Sequence, residues 1–118
     1  MVTGYLDGER IFRLHDDVRH VIVADSMGNV VRVFSRAKRE WPPEVQRQFS
    51  GLMAAIVIGL SEKVRDIAGE VEYVFVSHGK LNIVICKSPR NYLYLVSTRK
   101  SIPWDMVARL VGLIKEEG

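Results

Sequence analysis

One cysteine, Cys86, stands in the 118 residues of the chain. A lone thiol closes no internal disulfide and excludes a four-cysteine zinc site. Long hydrophobic runs are also missing. The longest strongly apolar stretch, Leu52 to Leu60, is about half of what a membrane span requires. Met1 to Asp7 lacks a basic start followed by an apolar stretch, so no secretory signal is read there, and a soluble cytoplasmic protein is expected. Phosphate-binding glycine motifs are absent in both common forms, G-x-x-x-x-G-K-[ST] and G-x-G-x-x-G between a strand and a helix. Charge of one sign is scarce. Lys and Arg number 17 and Asp and Glu 14, a formal net charge of +3, which is mild for a nucleic-acid binder.

What is present is a core. Apolar residues make up 47% of the chain, enough to fold without staples. There is no internal repeat, and Pro42-Pro43 is the only strong break, so a single domain over 1–118 is expected. The Tyr5–His15 segment fits a short helix or a short strand, and the helix is favoured. Val21-Ile22-Val23-Ala24 is a β-branched run suited to a strand buried on both faces. Ser26-Met27-Gly28-Asn29 then turns the chain into a second strand, Val30 to Phe34, with Gly28 and Asn29 as the residues that tolerate positive φ. Pro42-Pro43-Glu44 opens a long helix ending near Ala68, with Gly69 as its stop. Strands are predicted over Glu70–Ser77, Leu81–Lys87 and Tyr92–Thr98. A last helix is expected with Ser101 as its cap and Trp104, Val107, Val111 and Ile114 as its apolar stripe. The order is α-β-β-α-β-β-β-α. The fold class is α+β, an α/β sandwich with a five-stranded antiparallel sheet flanked by helices.

The long helix carries more apolar surface than a sheet can use. At about 100° per residue, Val45, Phe49, Leu52, Met53, Ile56, Val57, Leu60, Val64 and Ile67 form one broad stripe, expected to face the sheet. Gly51, Ala54, Ala55 and Ile58 lie opposite, with Arg47 and Glu62 beside them. Two copies crossing antiparallel between Ala54 and Ala55 would set Arg47 against the partner's Glu62 and Gly51 against the partner's Ile58. An isologous contact requires that self-complementarity. These six residues are the expected homodimer interface. The alternative is that another part of the same chain covers them.

The segment Val18 to Val31, VRHVIVADSMGNVV, followed by the Ala/Leu-rich helix from Glu44 to Ala68, three strands and a closing helix, resembles the roadblock/dynein light chain family, and its small archaeal members in particular. The resemblance spans roughly Asp7 to Ile114. Longin and profilin-like domains share much of this architecture. The resemblance implies a roadblock/profilin-like fold and a dimer joined by the long helix and the strand after it. It also implies an adaptor or regulator of Ras-like small GTPases, alone or within a larger protein complex, with no shared catalytic residues.

No catalytic, cofactor-binding or metal-ligating set is assigned. His15 and His20 are five apart, not the spacing of ligands on one helix face, and His78 sits in a turn. Cys86 alternates with Val84 along a strand and reads as core. The loop residues Arg36, Lys38, Arg39 and Trp41 are the candidate partner surface, although Trp41 also fits a staple on the long helix. Tyr92 and Tyr94, near Arg90, Arg99 and Lys100, are the feature that would favour nucleic acid, by base stacking. A small-ligand sensor is a further alternative.

Overall fold

The computed structural model describes residues 4–118, so the reading of Met1 to Thr3 as lacking a secretory start lies outside the described residues. The elements follow the expected order: α1 (Gly8–Phe12), β1 (Val18–Ala24), β2 (Val30–Ser35), α2 (Pro43–Ala68), β3 (Val74–Ser77), β4 (Asn82–Lys87), β5 (Leu93–Thr98) and α3 (Trp104–Glu117). The strands form one antiparallel sheet in the spatial order β2-β1-β5-β4-β3. The last strand inserts between β1 and β4, which leaves β2 and β3 at the edges.

Period-two alternation sorts the strand residues between two cores. Val21, Val23, Val84, Cys86, Tyr94 and Val96 point to one face, where Ile11 and Phe12 of α1 and Val107, Leu110 and Ile114 of α3 cover them. Ile22, Ala24, Ile83, Ile85, Leu93 and Leu95 point to the other, beneath Met53, Ala54 and Val57 of α2. The three central strands are therefore apolar on both sides.

Local chemistry sets the boundaries. Asp7 caps α1 by accepting the Glu9 N–H at 3.0 Å. Gly69, at φ +82°, ends α2, and its N–H donates to the Arg65 carbonyl at 2.8 Å. Three expectations are corrected. Asn29 does not take a positive φ, and Gly28 alone does so in the first hairpin, at +87°. Ser101 does not cap α3. Pro103 holds that position, while the Ser101 hydroxyl donates to Asp17 Oδ2 at 2.8 Å. The strand expected from Glu70 begins only at Val74, which pairs with Ile85. In that register Glu70 and Val71 would need partners past Lys87, where β4 gives way to the Ser88–Pro89 turn, and Glu72 and Tyr73 lie opposite Lys87 and Cys86 without joining the ladder.

Candidate functional site

The long helix is rolled relative to expectation. Gln46, Ser50, Met53, Ala54 and Val57 are its buried residues. Leu52 (57% exposed), Ile56, Leu60 (44%), Val64 and Ile67 (91%) face outward, whereas the breadth of the apolar arc predicts that they face the sheet. The cause is the first hairpin. A Cβ at Gly28 would lie 2.7 Å from the Gly51 Cα, 2.8 Å from the Ser50 carbonyl oxygen and 3.0 Å from the Ala54 Cβ. The small residues of α2 therefore do mark a close approach, and the element that approaches is the chain's own turn. Asp25 holds that turn. Its Oδ1 accepts the N–H groups of Met27 (2.9 Å) and Asn29 (3.0 Å), and its Oδ2 accepts the Asn29 side-chain amide at 3.1 Å. Those hydrogen bonds, led by the Asn29 backbone N–H, hold the Asp25 carboxyl below its ordinary pKa.

Of the six expected interface residues, Ala54 is buried and Gly51 half-buried, both at the hairpin contact. Arg47, Ala55, Ile58 and Glu62 are exposed. Past Val57 no residue of α2 is buried, so its C-terminal half stands clear of the sheet. Sequence periodicity missed Leu52, Ile56 and Leu60 as surface because the apolar arc is wider than the sheet contact. The signal that could have found them is the Ser50, Gly51 and Ala54 cluster read together with Gly28.

The basic loop divides in two. Arg36 is a clamp: Nε donates to the Val18 carbonyl at 2.8 Å, Nη2 to the His15 carbonyl at 2.5 Å, and the guanidinium lies 4.8 Å from the Phe12 ring centre. Trp41 is the staple, edge-on to Phe49 at 5.3 Å, and its carbonyl accepts the Gln46 side-chain amide at 2.9 Å. Lys38 and Arg39 remain exposed. His20 braces the loop. A carbonyl only accepts, so His20 Nε2 carries its hydrogen and donates to the Arg39 carbonyl at 3.0 Å, and Nδ1 faces Ser97 Oγ at 2.7 Å. The apolar cavity beneath Trp41, lined also by His20, Gln46 and Phe49, holds about 10 Å³, room for one water.

The remaining chemistry is structural. Cys86 is fully buried, and burial pushes its thiol up to about 11 while Lys115 pulls the other way, so it is no nucleophile at neutral pH. His15 Nδ1 accepts the Asp17 N–H at 2.9 Å. Among the described residues no three His, Cys, Asp or Glu side chains are placed to hold a metal ion. The base-stacking reading of Tyr92 and Tyr94 fails on burial. Tyr94 is fully buried, its hydroxyl accepting the Leu6 N–H at 2.8 Å and donating to the Gly118 carbonyl at 3.3 Å, and Tyr92 packs edge-on against Tyr5. Among the described residues no helix is long and apolar enough to cross a membrane.

No family model matches the sequence, and no curated protein does. Solved structures do match. A roadblock/LC7 domain from Streptomyces avermitilis superposes with a TM-score of 0.72 at 11% identity, over 95% of this chain and 92% of that one. The gliding protein MglB from Thermus thermophilus gives 0.68 at 11% identity, over 98% and 91%. An MglB in a tetrameric arrangement gives 0.68 at 12% identity, over 98% and 90%. At such identities the likeness is one of architecture. With five antiparallel strands, α2 on one face and α1 and α3 on the other, the chain has the roadblock/LC7 fold.

Proposed function

We propose that this chain is a non-catalytic protein-interaction module that forms a homodimer through α2 and the edge strand β3. One observation carries the reading. Leu52, Ile56, Leu60, Val64 and Ile67 lie along a single helix, all exposed. A run of that kind on a folded surface marks a protein contact. Within the proposed contact these residues form the centre. Ala55 and Glu62 border it, Arg47 and Ile58 lie further round the helix, and Gly51 and Ala54 support it from beneath. The tetrameric arrangement of one MglB supports self-association as a habit of the fold. The resemblance to roadblock proteins supports a regulatory or adaptor role toward a Ras-like small GTPase, docked on the composite surface of the dimer. The exposed Lys38 and Arg39 give that surface positive charge.

Light scattering over a range of concentrations and salt tests the reading. The expected mass is twice 13.4 kDa. Ile56→Glu should give a folded monomer with an unchanged circular dichroism spectrum, because Ile56 is not part of either core. A wild-type chain that stays monomeric at every concentration overturns the proposal. A GTPase partner would then be sought as a stoichiometric complex that depends on nucleotide state.

A further inference from the structure

The C-terminal half of α2 roofs a groove of about 400 Å³, within the span of small-molecule sites, about 300–1,000 Å³. Its floor is the end of β4, the Ser88–Pro89 turn and Lys115 of α3. Lys87 shares a strand face with Ile83 and Ile85, so its side chain rises toward α2. Ile58, Ser61 and Arg65 line the groove from the roof. At about 100° per residue they sit far round the helix from Leu52, Ile56 and Leu60. The groove and the proposed dimer contact are therefore separate surfaces.

The floor holds more donors than acceptors. The half-buried Lys87 ammonium has no ion pair and no hydrogen bond among the described residues. Lys115 Nζ donates one hydrogen to the Lys87 carbonyl, at 2.9 Å, which leaves it two. Ser88 is nearly fully buried. Its hydroxyl oxygen accepts the Tyr92 N–H at 3.2 Å, and the hydroxyl hydrogen meets no acceptor among the described residues. Of the lining carboxylates Glu62 and Glu70, Glu70 is paired with Arg65 at 2.8 Å, and Glu62 has no ion pair among the described residues. The last turn of α3 explains Lys115, since a cation suits a helix C-terminus. It does not explain Lys87, which stands on a strand. A half-buried charge without a partner is costly, and a bound anion offsets that cost.

We propose that this groove binds a small phosphorylated molecule, its phosphate held by Lys87, Lys115 and the Ser88 hydroxyl. Two ammonium groups match the charge of a phosphate monoester at neutral pH, about −1.5 to −2. Ammonium and hydroxyl donors also suit a tetrahedral group, which can be approached from several sides. A planar carboxylate is better matched by a guanidinium, and Arg65 already gives its own to Glu70. Val57, Ile58, Val71 and Pro89 supply an apolar wall for the organic body of the ligand. Glu62, on the roof, repels the bound anion and holds the affinity down. The inference does not rest on the dimer.

Phenyl phosphate is the probe, with benzoate as a carboxylate on the same body. Each is titrated into the full chain at about pH 7.5, where the phosphate is mostly doubly charged, and followed by two-dimensional amide NMR. Saturable shifts are expected at Lys87, Ser88 and Lys115, with benzoate about tenfold weaker. Lys87→Met keeps the apolar stem and should weaken phenyl phosphate about tenfold. Lys63→Met removes the same charge from an exposed position elsewhere on α2 and should change the constant by less than about twofold. Glu62→Gln, also at an exposed position, should strengthen binding, and it reads the site even if Lys87→Met folds poorly. Shifts that never saturate, equal losses in Lys87→Met and Lys63→Met, unchanged affinity in Glu62→Gln, or equal binding of benzoate each overturns the inference. None of these outcomes bears on the α2 contact, which light scattering tests separately.

Discussion

Replacing Gly28 with alanine should unseat the long helix. Two penalties act together. The residue sits at φ +87°, where a side chain costs about 1–2 kcal/mol. The new methyl would also lie 2.7 Å from the Gly51 Cα and 2.8 Å from the Ser50 carbonyl oxygen. Both are backbone atoms of a helix, so neither can swing aside, and overpacking of that kind costs about 1–3 kcal/mol. The reduced freedom of the unfolded chain offsets about 0.4–1 kcal/mol. The net loss is about 3 kcal/mol, a large share of the stability of a small domain, which is about 5–15 kcal/mol. Urea unfolding followed by far-ultraviolet circular dichroism measures it. Gly51→Ala is the matched control: its own Cβ position has no neighbour within 4 Å, and alanine in a helix interior should add about 1 kcal/mol. A Gly28→Ala loss under about 1 kcal/mol, or a Gly51→Ala loss of similar size to it, would refute the account of how the hairpin seats α2.

Arg36→Met should cost about 2–3 kcal/mol, because two carbonyls, of Val18 and His15, lose a charged donor. Arg36→Lys should recover little, since an ammonium cannot reproduce the planar fork, and thermal unfolding of the three proteins checks both statements. Alkaline pH should destabilise the fold through Cys86. Its folded pKa, about 11, lies above the ordinary 9.0, so its contribution is complete below pH 9 and is lost as pH rises from 9 toward 11, where the unfolded thiol ionises first. Cys86→Ala should flatten the fall in unfolding free energy across that window, and an identical slope would dismiss the thiol as its source.

Legibility followed period and punctuation. Val21 to Ala24, Ile83 to Cys86 and Leu93 to Val96 alternate strictly, so their two faces were readable before any contact was known. Pro43 and Gly69 bracket α2 as their backbone preferences require. Three features were hidden because they depend on distant partners. Ser101 has the chemistry of a cap, but Asp17, 84 residues away in the chain, takes its hydroxyl. Val71 and Tyr73 alternate like strand residues, yet the ladder with β4 begins only at Val74, and Val71 would fall opposite Ser88, past the end of β4. Trp41 and Arg36 have the composition of a binding hot spot, and both are taken up by packing the loop against α2 and α1. The breadth of the apolar arc on α2 is legible in the sequence, and its rotation relative to the sheet is not. A helical wheel gives the width of an apolar arc, while the contact with Gly28 decides which part of it is hidden.

The overhanging half of α2 has a dynamic consequence. From Ile58 to Ala68 the helix has no buried residue to anchor it, and an isolated helical segment of about a dozen residues is marginal in water. In the free chain this stretch should open by local unfolding, with amide hydrogens exchanging far faster than those of β1 and β5. Anything that docks on Leu60, Val64 and Ile67 must order it. The last three turns of α2 then act as a built-in reporter of assembly, and their exchange protection should rise with protein concentration while that of the central strands stays fixed.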